Sequence, residues 1–372
     1  MLYENQEDKL IKYGNEKAIS GLTWDEIADL MNKEFHLDHS ESFYRKQYKL
    51  LSKDTSEDVV KEGFVDKDIY ARRDELTQVT ALYRRLSREE SIIDIAHHFA
   101  LQMNSKKILD FDESNRMESN PLYAGILLLS DWHYGVEFDN YWNKYNTQIC
   151  KERVSKLLSK VIDYIKMYSL SKITVINLAD MIAGRIHLQL RLNSRIDVVT
   201  QIMEVSEILA EFLNKLSEYV SIDYYDVLDN HSRIEPNKKE AMQLESLARI
   251  TKWYLKERLP QIIVHDNDMS ESFALIDLLG HHIVAVHGDK DKPSTVAKDI
   301  GSYTDSHVDM ICTAHRHHFA CDETCKTVVV CNGTLMGTDD YAEDLRLSST
   351  PSQNLIIMTR DNPIDAIHRI VL

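Results

Sequence analysis

The feature of this sequence that most restricts its fold is a set of apolar runs, each followed by a side chain that can bind a metal ion. After residue 121, short apolar runs alternate with longer amphipathic ones, as in an α/β layered domain. Five of the apolar runs are followed directly by Asp, Asn or His, in the segments ILLLSDWH, VINLAD, DVLDNH, IVAVH and ICTAHRH. Because the carboxyl ends of strands in an open α/β sheet converge on one crevice, we expect these side chains to meet in a single site.

The same periodicity predicts the strands and helices of this part of the chain. The predicted strands are Tyr123–Leu129, Ile173–Leu178, Ile222–Leu228, Phe273–Leu278, Ile283–Val286, Val308–Thr313, Thr327–Val330 and Leu355–Thr359. The predicted helices are Lys151–Tyr168, Ile196–Tyr219, Lys238–Arg258 and Ser294–Tyr303. The fold class that follows is α/β, with β-sheets flanked by helices.

Residues 1–55 are predicted to form a small all-α domain. Thr23 and Glu26 have the spacing of a capping box, so a helix should begin there and end near Phe35. Its apolar face is expected to carry Ile27, Leu30 and Met31.

A turn over 36–40 and a second helix over 41–51 follow in this domain. On the second helix, Phe43 and Leu50 are expected to point inward. The residues left toward solvent are Tyr44, Arg45, Tyr48 and Lys49. The arrangement resembles the helix-turn-helix domains that bind DNA, with Tyr44, Arg45 and Lys49 in the recognition positions. A protein-protein or structural three-helix module remains the alternative.

Residues 56–119 are highly charged and have helical periodicity, which predicts a helical connector between residues 1–55 and a catalytic domain over 120–372. A homodimer through this connector is left open.

Composition sets further bounds. A chain of 372 residues with 43% hydrophobic side chains can bury a sizeable core. Its net charge of −16 would repel a polyanion unless basic residues or metal ions offset it locally. The N-terminal residues have no signal-peptide pattern and no run has the length of a membrane span, so we expect a cytoplasmic protein with no membrane partner.

The cysteines allow two interpretations. Four of the five lie between Cys312 and Cys331, which could indicate a structural zinc site. Their strand-like neighbours and the absence of a CxxC pair favour buried, reduced thiols instead.

Aspartate, asparagine and imidazole are hard-to-borderline ligands that suit Mn²⁺, Fe or Zn²⁺. Soft metals prefer thiolate sites, and Ca²⁺ prefers all-oxygen sites. The number of candidate ligands indicates two divalent ions. Mn²⁺ is the metal we favour, and Zn²⁺, Fe and Mg²⁺ are the alternatives. The candidate ligands are Asp131, His133, Asp180, Asn230, His287, His315 and His317.

These blocks, with His231 after Asn230, resemble the five signature blocks of the calcineurin-like metallophosphoesterases over roughly residues 122–320. The resemblance implies a layered metallophosphoesterase fold. It also implies that Asp131, His133 and His317 bind one metal, that Asn230, His287 and His315 bind the other, and that Asp180 bridges them. His231 would be the catalytic histidine.

The sequence departs from the family pattern where glycines are usual, at Ala179, Asp229 and Ala314. Asp229 adds a negative charge beside the site. All the ligands are present, so we expect activity, and a scaffold without turnover is the alternative that these replacements leave open.

Three more side chains lie close to the ligands in the sequence. Arg233 and Arg316 could contact a substrate phosphate or form surface ion pairs. Asp289, two residues after His287, is expected to orient an imidazole of the site.

Substrate identity does not follow from the metal ligands. The helix-turn-helix-like domain favours DNA, and the catalytic half resembles the nuclease subunit of double-strand-break repair complexes and phage-encoded phosphoesterases. We therefore expect a DNA nuclease or DNA-end-processing phosphodiesterase. The alternative enzyme is a phosphoesterase for a nucleotide or cyclic nucleotide.

Overall fold

The computed structural model describes residues 3–61, 72–80, 83, 101, 109–116 and 122–372, apart from 269 and 305. The chain divides into two compact units, Met1–Glu90 and Ser91–Leu372. Most of the predicted connector lies outside the described residues, and the boundaries at 55 and 119 stay predictions.

Three helices form the described part of the smaller unit: α1 (Glu4–Ser20), α2 (Trp24–Phe35) and α3 (Glu41–Lys61). The predicted capping box is confirmed, since Thr23 and Glu26 each accept from the other's backbone N–H. A small core of Leu10, Ile27, Ala28, Met31 and Tyr44 joins the helices.

The predicted orientation of α3 was wrong at Tyr44. Its side chain is 0% exposed, and its hydroxyl donates to Asn32 Oδ1 at 2.7 Å. Tyr44, Tyr48 and Leu51 follow the i, i+4, i+7 spacing of the inner face, whereas Leu50 is exposed. A tyrosine fits an interior position when its hydroxyl has a partner, which the amphipathic pattern does not reveal. Leu30 on α2 is likewise exposed, contrary to expectation.

Two sheets form the centre of the larger unit. The strands of the first sheet are β1 (Ala124–Leu129), β4 (Lys172–Asn177), β5 (Ser221–Asp226), β6 (Ile263–Val264), β12 (Ser352–Met358) and β13 (Ala366–Val371). Those of the second are β7 (Ala274–Leu278), β8 (His281–Ala285), β9 (Met310–Thr313), β10 (Ala320–Thr324) and β11 (Thr327–Cys331). The first sheet has the order β13-β12-β1-β4-β5-β6, and the second has the order β10-β11-β9-β8-β7. A separate hairpin pairs β2 (Phe138–Asp139) with β3 (Lys144–Tyr145).

Alternation along β1 shows how the layers pack. Ile126 and Leu128 join a core shared by both sheets, whereas Leu127 and Leu129 face the helices that cover the first sheet. The larger helices are α4 (Thr147–Tyr168), α6 (Val198–Ser217) and α7 (Ala248–Arg258). The short ones are α5 (Leu188–Asn193), α8 (Val296–Gly301) and α9 (Asp340–Asp344). The layered α/β class with a small helical N-terminal unit is therefore confirmed.

One predicted helix is shorter than expected. The helix predicted from Lys238 begins at Ala248, after a 3-10 turn over Gln243–Glu245. Nearly all side chains over 236–245 are exposed, so this stretch has no apolar face to bury against the sheet. Strands β2, β3, β6, β10 and β13 were not predicted.

None of the helices in the described ranges combines the length and apolarity that crossing a bilayer requires.

Candidate metal centre

Loops after the carboxyl ends of five strands carry the predicted ligands. Asp131 and His133 follow β1, Asp180 follows β4, and Asn230 follows β5 in the first sheet. In the second sheet, His287 follows β8, while His315 and His317 follow β9. β1, β4 and β5 run parallel, as do β8 and β9, so both sheets end at the same site.

One group of side chains joins Asp131, His133 and His317. The Nε2 atoms of the two histidines lie 3.1 Å apart, and His317 Nε2 lies 3.4 Å from Asp131 Oδ1. His133 Nε2 lies 3.8 Å from the same oxygen. One ligand atom from each of these residues falls within a sphere that could hold a metal ion.

A second such group joins Asp180, His287 and His315. His287 Nε2 lies 3.1 Å from both Asp180 Oδ2 and Asn230 Oδ1. Its Nδ1 donates to the Leu178 carbonyl at 2.7 Å, the backbone contact typical of a metal-binding histidine. The Leu178 carbonyl therefore orients His287. The Asp289 carboxylate lies 3.7 Å from Lys238 Nζ, and its role in orienting an imidazole stays a prediction.

Asp180 connects the two groups. It also forms a third potential metal-binding group with His133 and His231, and its Oδ2 lies 3.7 Å from His231 Nε2. His231 Nδ1 donates to the Ala183 carbonyl at 3.0 Å, which directs Nε2 toward the carboxylate. The structure thus brings all seven predicted ligands and His231 into one cluster.

Buried oxygen atoms with no hydrogen bond test whether a cation fits this cluster. Both carboxylate oxygens of Asp131 and Oδ2 of Asp180 are buried and accept no hydrogen bond from the described residues. An unpaired buried carboxylate is costly, and a divalent cation offsets that cost. The residues present therefore fit metal ions.

The electrostatics of the cluster favour a cation as well. Burial raises the pKa of the Asp180 carboxyl, but His231 and His287 outweigh burial and hold it well below its usual range. Burial lowers the pKa of His287, yet Asp180 and Asp131 raise it to about 10. The two buried carboxylates thus favour positive charge at this site, which a metal ion would supply.

Left-handed backbone conformations bring the ligands together. The φ angles are +52° at Asp131, +53° at Asp180, +68° at His315 and +60° at His317. Among the three positions where the metallophosphoesterase pattern has glycine, Ala179 alone has a positive φ, of +75°. The fold therefore tolerates alanine there at a cost of about 1 kcal/mol. Asp229 and Ala314 have no positive φ that would favour glycine.

Asp229, the replacement that adds charge, holds its neighbours in place. One of its oxygens accepts from the Asp180 backbone N–H at 2.9 Å and from the Ser232 hydroxyl at 2.8 Å. The other accepts from the Ser232 backbone N–H at 2.7 Å. Burial and the neighbouring Asp180 raise the pKa of Asp229.

The two predicted phosphate-contacting arginines differ. Arg233 is partly buried, its Nε donates to the Asn230 carbonyl at 2.9 Å, and one terminal nitrogen is buried without a partner in the described structure. Arg316 lies between two candidate ligands and is exposed.

Sequence reasoning missed His187. Its exposed ring contacts the His231 ring, with centroids 4.7 Å apart. It precedes the short helix α5, and no motif marks it. The only signal in the sequence is that it follows Asp180 in the same loop.

The described residues give no support for a structural zinc site at the cysteines. Cys150, Cys312 and Cys331 are buried free thiols, and Cys321 and Cys325 are exposed. None of the potential metal-binding groups in that part of the chain includes a cysteine.

Comparisons with known proteins match both units of the chain. Residues 3–57 match the family described as the YonJ N-terminal domain. A SPbeta prophage-derived uncharacterized protein, YonJ, of Bacillus subtilis is 27% identical over 388 aligned positions, which cover 95% of this chain and 93% of that protein.

Solved structures give weaker likenesses. A novel archaeal phosphodiesterase is 15% identical with a TM-score of 0.35, over 67% of this chain and 99% of that one. Vps29 of Entamoeba histolytica complexed with Zn²⁺ is 11% identical with a TM-score of 0.32, over 66% of this chain and 98% of that one. Neither structural likeness is close enough to indicate what this chain does.

Proposed function

We propose that this chain is a two-metal phosphodiesterase that cleaves DNA. The observation that carries the proposal is the buried pair Asp131 and Asp180, whose unpaired oxygens lie among imidazole nitrogens. Asp131, His133 and His317 would hold one metal, and Asn230, His287 and His315 the other, with Asp180 shared. Such ions supply an activated water near neutral pH and offset negative charge on the phosphate.

The chain's own side chains would position and protonate the substrate. With Nδ1–H given to Ala183, His231 presents Nε2 to the site and can donate a proton to the departing oxygen. Arg233, whose guanidinium is already anchored on Asn230, has a nitrogen free to bind a non-bridging phosphate oxygen. His187 would limit how a substrate approaches His231.

DNA is the substrate that the smaller unit favours. With Tyr44 buried, the outer face of α3 carries Arg45 and Lys49 together with Lys46, all exposed. Three cations on one helix face suit a phosphate backbone. The prophage origin of the YonJ relative fits the phage-type enzyme that the sequence resemblance implies. We propose Mn²⁺ as the metal.

A small nucleotide ester is the second candidate substrate. The net charge of −16 favours a substrate with few phosphates over a long polyanion. The scaffold alternative is less favoured, because the fold accommodates Ala179 in the conformation for which the family uses glycine.

The first test is cleavage of single-stranded and supercoiled DNA by the full chain with Mn²⁺. We expect cleavage that EDTA and His231→Ala abolish, whereas His282→Ala, an exposed histidine paired with Asp277, should retain it. Hydrolysis of bis-p-nitrophenyl phosphate without DNA cleavage would move the proposal to the small ester. No hydrolysis of either substrate would overturn it.

The second test separates DNA binding from chemistry. The double variant Arg45→Ala with Lys49→Ala should bind duplex DNA more weakly, and its affinity should depend less on salt concentration. Its hydrolysis of bis-p-nitrophenyl phosphate should be unchanged. Lys33→Ala on α2 is the control, because it removes one exposed charge from another helix. Equal binding by the double variant and the wild type would contradict DNA recognition by α3.

A further inference from the structure

Two aromatic rings project from the turn of the β2–β3 hairpin. Tyr141 is 88% exposed and Trp142 64% exposed, and the two rings meet edge to face with centroids 4.8 Å apart. Burying two large rings would stabilise the fold, and here both rings stay exposed side by side. An exposed aromatic pair of this kind indicates a binding surface more often than a surface with no ligand. Their flat faces are suited to stacking.

The turn that carries these rings is held by hydrogen bonds. Asn140 Oδ1 accepts from the backbone N–H groups of Trp142 at 3.0 Å and Asn143 at 2.8 Å. The indole N–H of Trp142 donates to Glu343 at 3.1 Å. Since the indole nitrogen is already bonded, the ring orientation is set and the face remains available for a ligand.

One residue links this turn to the metal centre. The Met336 backbone N–H donates to the Asp131 carbonyl at 3.4 Å, and the Met336 carbonyl accepts from Asn143 Nδ2 at 2.8 Å. Arg153 reinforces the link by donating to the Met336 carbonyl at 2.7 Å and to Asn143 Oδ1 at 3.0 Å. The side-chain nitrogen of Asn143, the residue next to Trp142, therefore lies no more than about 10 Å from the carbonyl oxygen of Asp131, given standard bond lengths.

The charges beside the rings decide what can stack there. Asp340 accepts from Asn140, and Glu343 accepts from Trp142, so carboxylates flank the surface. Asp139 is paired with Lys144 at 2.6 Å. Such a surface repels a phosphate but not a neutral aromatic ring.

We propose that Tyr141 and Trp142 form a stacking platform for a nucleobase of the phosphodiester whose phosphate is held at the metal centre. This inference rests on the proposed function and names the substrate class of the same site, a nucleotide ester with an unstacked base. Stacking on aromatic side chains is tolerant of base identity, so the platform favours single-stranded ends and nucleotides over paired duplex.

The test compares two esters with the same leaving group. Thymidine 5′-(p-nitrophenyl phosphate) carries a base, and ethyl p-nitrophenyl phosphate carries none. In the full chain with Mn²⁺, Tyr141→Ala with Trp142→Ala should lower kcat/KM for the thymidine ester roughly tenfold and leave the ethyl ester unchanged. Tyr303→Ala, which removes another exposed ring in contact with Phe273, is the matched control and should change neither.

Equal losses on both esters, or no loss on the thymidine ester, would overturn the platform. If the wild type hydrolyses neither ester, the proposed function fails, and calorimetric binding of thymidine 5′-monophosphate with Mn²⁺ decides the platform alone. Binding weakened by the double substitution supports it, and unchanged or absent binding overturns it. A change in oligomeric state in the double variant, seen by light scattering, would instead assign the rings to contact with a second copy.

Discussion

The Asp229 carboxylate accepts a hydrogen bond from the backbone N–H of Asp180 at 2.9 Å. Asp180 has a φ of +53°, and Asp229 is one of the residues that hold this backbone in place. The Asp229 side chain thus supports the aspartate on which both candidate metal positions depend.

Asp229→Asn is expected to weaken metal binding by about 10- to 100-fold, as replacing residues that support metal ligands usually does. The amide keeps the shape but loses the charge and one acceptor, because its NH₂ group would face donors. Calorimetric titration with Mn²⁺ measures this. Asp340→Asn, an exposed carboxylate on α9, is the control, and equal affinity in the two variants would contradict the role given to Asp229.

Metal binding should stabilise the chain. At a free Mn²⁺ concentration 100-fold above its Kd, the free energy of unfolding of the larger unit should rise by about 2.7 kcal/mol. Thermal unfolding with and without EDTA measures the shift, and Asp131→Asn or Asp180→Asn should reduce or remove it. A melting temperature independent of Mn²⁺ in the wild type would contradict a metal site here.

Ala179 and Ala314 stand where the metallophosphoesterase pattern has glycine. Substitution by glycine should change the stability of the chain differently at the two positions. Ala179→Gly removes the strain of an alanine in the left-handed conformation. This gain offsets much of the free energy lost with a buried methyl group and with a more flexible unfolded chain. Ala314→Gly has no such compensation, since φ at Ala314 is negative, and should cost about 1–2 kcal/mol. Urea midpoints would show Ala314→Gly as the more destabilised, and the reverse order would contradict the strain argument.

Tyr44 should be essential to the stability of the smaller unit, and its side chain should not take part in binding at the outer surface of α3. Tyr44→Ala removes a fully buried ring and should cost about 3–5 kcal/mol. Tyr44→Phe removes only the hydroxyl that bonds Asn32 and should cost about 1 kcal/mol, because Asn32 Oδ1 keeps its bond from the His39 N–H. Circular dichroism melts check both, and a stable Tyr44→Ala with weakened DNA binding would restore the recognition role first predicted.

A nearly buried ion pair ties α7 to β5, since Lys252 Nζ lies 2.9 Å from Asp226 Oδ1. Burial lowers the pKa of Lys252, but Asp226 outweighs burial and raises it above the usual value. The stability from this lysine is therefore complete below its unfolded pKa of about 10.4 and is lost as the pH rises through the folded value. Lys252→Met should cost about 3–5 kcal/mol at neutral pH and remove this alkaline dependence, while Lys252→Met with Asp226→Asn should recover most of the loss. Equal stability of the single and double variants would count against the pair.

The sequence alone determined the features that depend on neighbours along the chain. The apolar runs predicted eight strands close to their observed bounds, because strands covered on both faces are apolar along most of their length. The order of ligands after those runs predicted the cluster of Asp131, Asp180 and the histidines, because parallel strands end at a common edge. The capping box at Thr23 was local enough to be found in the same way.

Only the tertiary structure decided which side chains from distant segments touch. The burial of Tyr44 depends on a partner twelve residues away, Asn32, and the role of Asp229 depends on a backbone N–H after another strand. The contact between His187 and His231, and the link from the Trp142 turn through Met336 to Asp131, join loops that no periodicity relates. Hydrogen bonds and ring contacts of this kind are set by how the layers pack, because packing brings together residues whose separation along the chain carries no signal.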